Sequence, residues 1–308
     1  MWFRNLALYR FSQPFTLSAE ELGDQLSAKA ARPIAALEPS TLGWAPPLGR
    51  ESELLVHATG GYLMVCARKE EKIMPAAAIN EVLAARVIEI EEKEQRQVRG
   101  KERANLKDEV VFDMIQRAFT KSSQTFAYID PKGGWLIVDA GTPKKAEEIT
   151  GLLRESLGSL PIAPLSVANA PAAVMTAWLT AGGVPPEFTI EDECELRDPG
   201  EDGGLVRVRK FDLGCDEIRV HLDAGKQVTR LALTFDDRIN FVIDEQMLVK
   251  RLKFLEVVQD AASESDAGSA AERFDGDFAV MSLEINNFLP RLIEAFGGEA
   301  ESEALNAA

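Results

Sequence analysis

One stretch of this sequence constrains the fold more than any other. From Pro75 onward the pattern is helical for more than forty residues. Ile79, Val82, Leu83, Val87 and Ile90 fall on one stripe. Beyond Ile90 the stripe fades while charges continue, and Gly100 interrupts. Leu106, Val110, Val111, Met114, Ile115 and Ala118 then form a second stripe. Two apolar stripes parted by a glycine predict two helices folded against each other, with the turn near Gly100. At 1.5 Å per residue, residues 76–99 would extend roughly 36 Å. That is longer than a compact core requires, so residues 76–121 read as a projecting helical arm.

The flanking sequence reads as mixed α and β. Residues 2–11 are predicted as a strand with Trp2, Arg4, Leu6, Leu8 and Arg10 on one face. Ser18 and Glu21 form a capping box that opens a helix to about Ala31. Gly43-Trp44-Ala45-Pro46-Pro47 reads as a turn-rich loop, and strands near 54–58 and 61–67 form a hairpin. After the arm come two strands within 124–140, a helix over 143–157 stopped by Gly158, an extended segment at 161–167 and a short helix at 171–181. Ala181-Gly182-Gly183-Val184-Pro185-Pro186 marks a boundary. Strands follow near 188–196, 204–211, 228–235, 238–243 and 248–254, with a helix at 215–224. The acidic stretch 259–272 reads as a linker, and a last helix covers about 275–296.

The expected organisation is α+β. Residues 1–75 and 122–181 make a central domain interrupted by the arm at 76–121, and residues 182–308 make a C-terminal sheet domain with a terminal helix. The order strand–helix–hairpin occurs at 2–67 and again at 204–243, which hints at an internal duplication.

Charge limits the choice of partner. The chain has 34 Lys+Arg against 50 Asp+Glu, a net of −16, which argues against a polyanion partner for a uniformly charged surface. Residues 256–308 alone carry twelve acids and two bases, leaving only −6 for the rest. The bases elsewhere are clustered: Arg96, Arg99, Lys101, Arg103 and Lys107; Arg207, Arg209 and Lys210; Lys250, Arg251 and Lys253. Phosphate contacts form within about 10 Å at ordinary salt, so local potential decides. Any DNA site must be a segregated surface. Hydrophobic content of 46% and the three scattered cysteines, Cys66, Cys194 and Cys215, suit a reduced, cytoplasmic globular protein.

Catalytic constellations are weak. His57 and His221 have no Cys, Asp or His at metal-ligand spacing. The paired glycines lack a Walker lysine or dinucleotide spacing. Glu191-Asp192-Glu193 and Asp236-Asp237 have the chemistry to bind magnesium, although solvated turns and edges explain them more simply. Cys66 sits in an apolar strand and reads as inert. The basic strand is more suggestive: Arg207 and Arg209 project from one face while Val206 and Val208 face the other, and Arg251 and Lys253 repeat the arrangement. The competing reading is a salt-bridged outer face. Phe119, between Arg117 and Lys121, is the best single candidate for a subunit contact, because burying it in its own core would drag two charges inward.

Gly43-Trp44-Ala45-Pro46-Pro47, Cys66-Ala67-Arg68-Lys69-Glu70-Glu71-Lys72-Ile73, Leu106-Lys107-Asp108-Glu109-Val110 and Arg117-Ala118-Phe119 closely resemble stretches of the bacterial recombination-associated RdgC family. Leu153-Arg154-Glu155-Ser156-Leu157-Gly158-Ser159-Leu160-Pro161, Leu252-Lys253-Phe254 and Ile293-Glu294-Ala295-Phe296-Gly297-Gly298 continue the match in order, from Trp2 to about Glu301. The resemblance implies a nucleoid-associated, sequence-independent binder of duplex DNA, with single-stranded DNA left open. It also implies a ring-shaped homodimer with a basic hole, a restraining effect on the recombinase RecA, a link to replication-fork repair, and no known catalysis or cofactor. An interaction protein that inhibits RecA by direct contact, with DNA binding secondary, is the second reading, and a metal-dependent nuclease the third. Phe211, after Arg209-Lys210, leaves open whether that turn meets DNA or a second subunit.

Overall fold

The computed structural model describes residues 1–49, 52–200, 203–263 and 268–300. Its first sheet is antiparallel and built from β1 (Ala7–Phe11), β2 (Ser40–Ala45), β3 (Val56–Thr59), β4 (Tyr62–Lys72), β5 (Thr120–Asp130), β6 (Trp135–Val138) and β7 (Ile162–Pro164). The spatial order is β2-β4-β5-β6-β1-β7. β2 and β3 share one edge of β4 end to end, β2 pairing with Cys66–Glu71 and β3 with Tyr62–Val65. Both faces of this sheet are covered, so the alternation of β4 is masked by a continuous apolar run. Leu63, Val65 and Ala67 pack toward α1 (Ala19–Ser27) and α4 (Pro143–Leu157), through Leu22, Leu26, Ile149 and Leu153. Met64 faces the other way, into the main core.

Helix starts are set locally. Ser18 Oγ accepts from the Glu21 N–H at 3.2 Å, and the Glu21 carboxylate accepts from the Ser18 N–H at 2.8 Å, the capping box read from sequence. Thr142 caps α4, Pro143 takes its first turn, and Gly158 ends it at a φ of 74°.

The second sheet contains β8 (Phe188–Arg197), β9 (Leu205–Arg209), β10 (Gln227–Phe235), β11 (Ile239–Asp244) and β12 (Val249–Phe254), in the order β12-β11-β10-β8-β9. Between α5 (Pro171–Ala181) and β8, Gly182 and Gly183 both adopt positive φ, at the boundary marked by the sequence. α6 (Asp216–Asp223) links β9 to β10. Two more helices follow, α7 (Glu256–Ser263) and α8 (Ala270–Ala295).

Helix α8 joins the two sheets. Phe278 meets Tyr128 of the first sheet edge-to-face at 5.7 Å between centroids, and Phe288 meets Phe241 of the second in the same way at 4.9 Å. Met281, Ile285, Leu289 and Leu292 complete one continuous core with Leu8, Leu231 and Phe254. The buried Glu284 is paired with Arg238, which ties the same helix to the turn before β11.

The arm forms as α2 (Ala76–Glu94) and α3 (Gly100–Ile115), turning through Gln95 and Gly100, both at positive φ. Its two helices share a small core of Leu83, Val87, Val98 and Leu106, with an Arg86–Asp113 bridge of 2.6 Å between them. The arm replaces the loop of the β4–β5 hairpin. Lys72 is the Cα partner of Thr120, and the Ile73 N–H donates to the Phe119 carbonyl at 2.8 Å.

Several expectations need correction. Gly43-Trp44-Ala45 is strand, not loop. Trp44 is 1% exposed and its indole N–H donates to Ser156 Oγ at 2.9 Å, so pairing and burial override the turn residues. A Cβ on Gly43 would meet the Ala31 backbone at 2.6 Å, which explains the glycine. The first strand is shorter than expected: Leu6 exchanges backbone hydrogen bonds with Val249 of β12, and only Ala7 onward joins the first sheet. At 19 residues, α2 is roughly 28 Å long, shorter than the span to residue 99. Residues 259–263 of the expected linker belong to the helix α7, and α8 starts at Ala270 behind a Ser269–Glu272 capping box. Residues 264–267 of that linker and the tail 301–308 lie outside the described residues. The segments proposed as duplicates pair differently: β1 lies between β6 and β7, while β9 is an edge strand beside β8.

Phe288 touches Phe235 and Phe241 and is fully buried. Phe288→Ala should cost about 3–5 kcal/mol in urea unfolding, far more than a surface change on the same helix.

Candidate nucleic-acid interface

The three basic clusters read from the sequence fall on two surfaces. The first is the arm. Arg99, at the N-cap of α3, is followed at four-residue spacing by Arg103 and Lys107, which places all three along one side of the helix. All are exposed, as is Lys101, and none has a carboxylate within ion-pair distance among the described residues. Arg99 leans on the Gln97 side chain at 3.1 Å. Arg96 differs: Glu94 and Glu102 hold its guanidinium at 2.7 Å each. The one acid inside the basic run therefore neutralises its first member.

The second surface is the solvent face of the second sheet. On β9, Val206 and Val208 are half-buried against the core while Arg207 and Arg209 point outward, as the alternation requires. Strand register brings acids opposite them: Glu195 is the Cα partner of Arg207 and Glu193 that of Arg209. Arg207 Nε donates to Glu195 at 2.8 Å, and Arg209 Nε lies 3.4 Å from Glu193. The salt-bridged reading is therefore realised for both.

β12 lies at the opposite edge of this sheet. Lys253 pairs with Asn240 and Lys250 with Val242, the register shifting between them, and Arg251 sits in the bulge at a φ of 51°. Simple alternation of Arg251 and Lys253 is thus not what forms. Arg251 reaches over the face to Glu193 at 2.6 Å, and Lys250 pairs with Asp244 at 2.7 Å. Lys253 and Lys210 have no such partner among the described residues. Lys210 follows β9 at a φ of 54°, in the turn that leaves Phe211 partly exposed.

Two participants were missed in the sequence. Arg230 of β10 and Arg197 at the end of β8 both approach Glu195, at 3.3 and 3.5 Å. Outward alternation with Ala232 and Thr234 was a usable signal for Arg230. Burial pushes the Glu195 carboxyl up, but the hydrogen bond from Arg207, the nearby Arg230 and the Thr229 hydroxyl outweigh it, and the carboxyl is held below its ordinary value.

The metal candidates dissolve into structure. Glu193 is taken by two arginines, Glu191 accepts from the Thr234 hydroxyl, and Asp236 and Asp237 form the positive-φ turn between β10 and β11. Among the described residues no group of three His, Cys, Asp or Glu is arranged to hold a metal. His57 bonds Asp275 at 3.0 Å and meets Phe274 edge-on, a packing role. Burial pushes the thiols of Cys66 and Cys194 up to about 12, far from a reactive thiolate.

Phe119 is 83% exposed and lies in the link from α3 to β5 rather than on the helical stripe itself. Beside it is a cleft of about 660 Å³ lined by Ile73, Met74, Arg86, Met114 and Arg117.

The family model described as "RdgC: Putative exonuclease, RdgC" matches residues 1–299. The recombination-associated protein RdgC of Pseudomonas fluorescens is 44% identical over 306 residues, covering 99% of this chain and 100% of the relative. That of Aeromonas hydrophila is 42% identical, covering 98% and 100%, and that of Tolumonas auensis 43%, covering 97% and 99%.

The depressed carboxyl of Glu195 makes a signed prediction. Its stabilising effect is complete above the unfolded value near 4.5 and is lost as pH falls through the lower folded value. Glu195→Gln should be less stable than the parent at neutral pH, and the gap in urea midpoint should narrow as pH falls below that unfolded value.

Proposed function

The chain belongs to the RdgC family, and on that premise we propose that it is a nucleoid-associated, sequence-independent DNA-binding protein. It acts as an encircling homodimer that limits RecA-promoted recombination. The observation that carries the reading is a cluster of exposed cations on the arm: Arg99, Lys101, Arg103 and Lys107 have no carboxylate partner among the described residues, in a chain of net −16. A binder indifferent to sequence needs only phosphate contacts and shape. The exposed Phe119 and the cleft at the arm's base supply a self-complementary pair: across a two-fold axis, each ring meets the other subunit's cleft, with Arg117 and Lys121 left at a polar rim.

Retention on DNA tests the ring. If roughly 6–10 phosphates are neutralised, affinity should fall about 10³–10⁵-fold between 50 and 200 mM salt. Complexes on covalently closed circles should dissociate more slowly under the same challenge than those on short linear duplex. Equal rates, with the dimer intact, would leave an open clamp. End-labelled duplex incubated with magnesium should keep its length; shortening would revive the nuclease named in the family's description.

Two variants separate the remaining readings. Phe119→Ser should loosen the dimer in sedimentation and shorten retention on circles without unfolding the monomer, because the ring is already in solvent. Replacing Arg99, Lys101, Arg103 and Lys107 with alanine should reduce DNA affinity and RecA inhibition together. Inhibition that survives the loss of DNA binding would mean direct contact with RecA.

A further inference from the structure

We propose that Glu195, with Glu193 beside it, is a positioning residue that fixes a fan of arginines for gripping phosphodiester oxygens. The inference rests on the DNA-binding reading above and extends it to the second sheet. A guanidinium carries five N–H donors, and which of them a carboxylate occupies decides what remains for a ligand. Glu195 takes Arg207 through Nε, the inner nitrogen, at 2.8 Å, and Glu193 faces Nε of Arg209 at 3.4 Å. Both terminal nitrogens of each arginine are left over, on side chains 59% and 67% exposed. Those outward forks match the bidentate geometry of a phosphate.

The anchors are built for the purpose. The Glu195 side chain is only 4% exposed, and the Thr229 hydroxyl donates to its Oε1 at 3.3 Å, so the carboxylate cannot swing away. Arg230 and Arg197 approach the same carboxylate, and Arg251 shares Oε1 of Glu193 with Arg209. Five guanidiniums thus sit on two carboxylates, and the cluster keeps a net positive charge. Arg207 and Arg209 lie two residues apart on one strand face, about 6.8 Å. The side-chain entropy of ordering them is spent in folding rather than on DNA.

Positioning and simple charge predict opposite signs. Glu195→Gln and Glu245→Gln each remove one negative charge near Arg197, but Glu245 is exposed and only 3.7 Å from it. Charge alone makes both variants bind tighter. Positioning makes Glu195→Gln bind a random duplex about fivefold to tenfold weaker, with the salt slope reduced by about 1–2, while Glu245→Gln binds at least as well as the parent. Anisotropy titrations of the full chain across salt measure both. Glu193→Gln, at a less buried site, should repeat the loss and serves if Glu195→Gln folds poorly. Carboxylate variants that both bind as tightly as Glu245→Gln would overturn the role. The double variant Arg207→Ala, Arg209→Ala then locates the failure. Weakened binding there leaves the face on DNA without need of anchors, whereas undiminished binding removes the face from DNA and the positioning role with it.

Discussion

Helix α8 has to bury one apolar stripe along most of its length, and the body of the protein is arranged to allow it. Phe278 needs the aromatic cluster of the first sheet, and Phe288 needs that of the second. The stripe spans both layers: Phe278 in its first half meets the first sheet and Phe288 in its second half meets the second. The N-terminal strand reinforces the closure by trading hydrogen bonds with β12 at Leu6 before turning into the first sheet.

Once the inner faces are closed, charge is what the outer faces have to manage. The second sheet carries its arginines on buried or half-buried carboxylates, an arrangement worth little as stability, because desolvation offsets most of the Coulomb gain. Its value is geometric. The arm solves the same problem differently: Arg86 and Arg96 are tied to carboxylates, while Arg99, Lys101, Arg103 and Lys107 have no such anchor among the described residues. One surface holds its arginines on carboxylates; the other leaves four cations without one among the described residues.

The sequence made the arm legible because two stripes and a glycine leave no other packing, and β8 to β12 because their alternation is one-sided. It hid β2, whose Gly43 and Pro46 signal a turn, because only pairing with β4 and the burial of Trp44 reveal a strand. The sheet change at Leu6 was hidden too, since alternation carries no address. The outward arginines of β9 could be read from alternation alone. Their partners could not: Glu195 meets Arg207 only through the β8–β9 register, and Arg230 joins from β10, 35 residues beyond Glu195.

The place where the arm is attached has a consequence for how such a chain can change. Lys72 and Thr120 are strand partners, so the two ends of the arm are neighbours before any of it is built. The hairpin would close over a short turn as readily, and loop-closure entropy adds only about 0.6 kcal/mol per doubling of length. The body therefore exerts almost no pull on the arm's length or composition. Mutation can lengthen, shorten or recharge it while the two sheets and their shared helix stay as they are, which makes the arm the part of the molecule most open to being fitted to a new task.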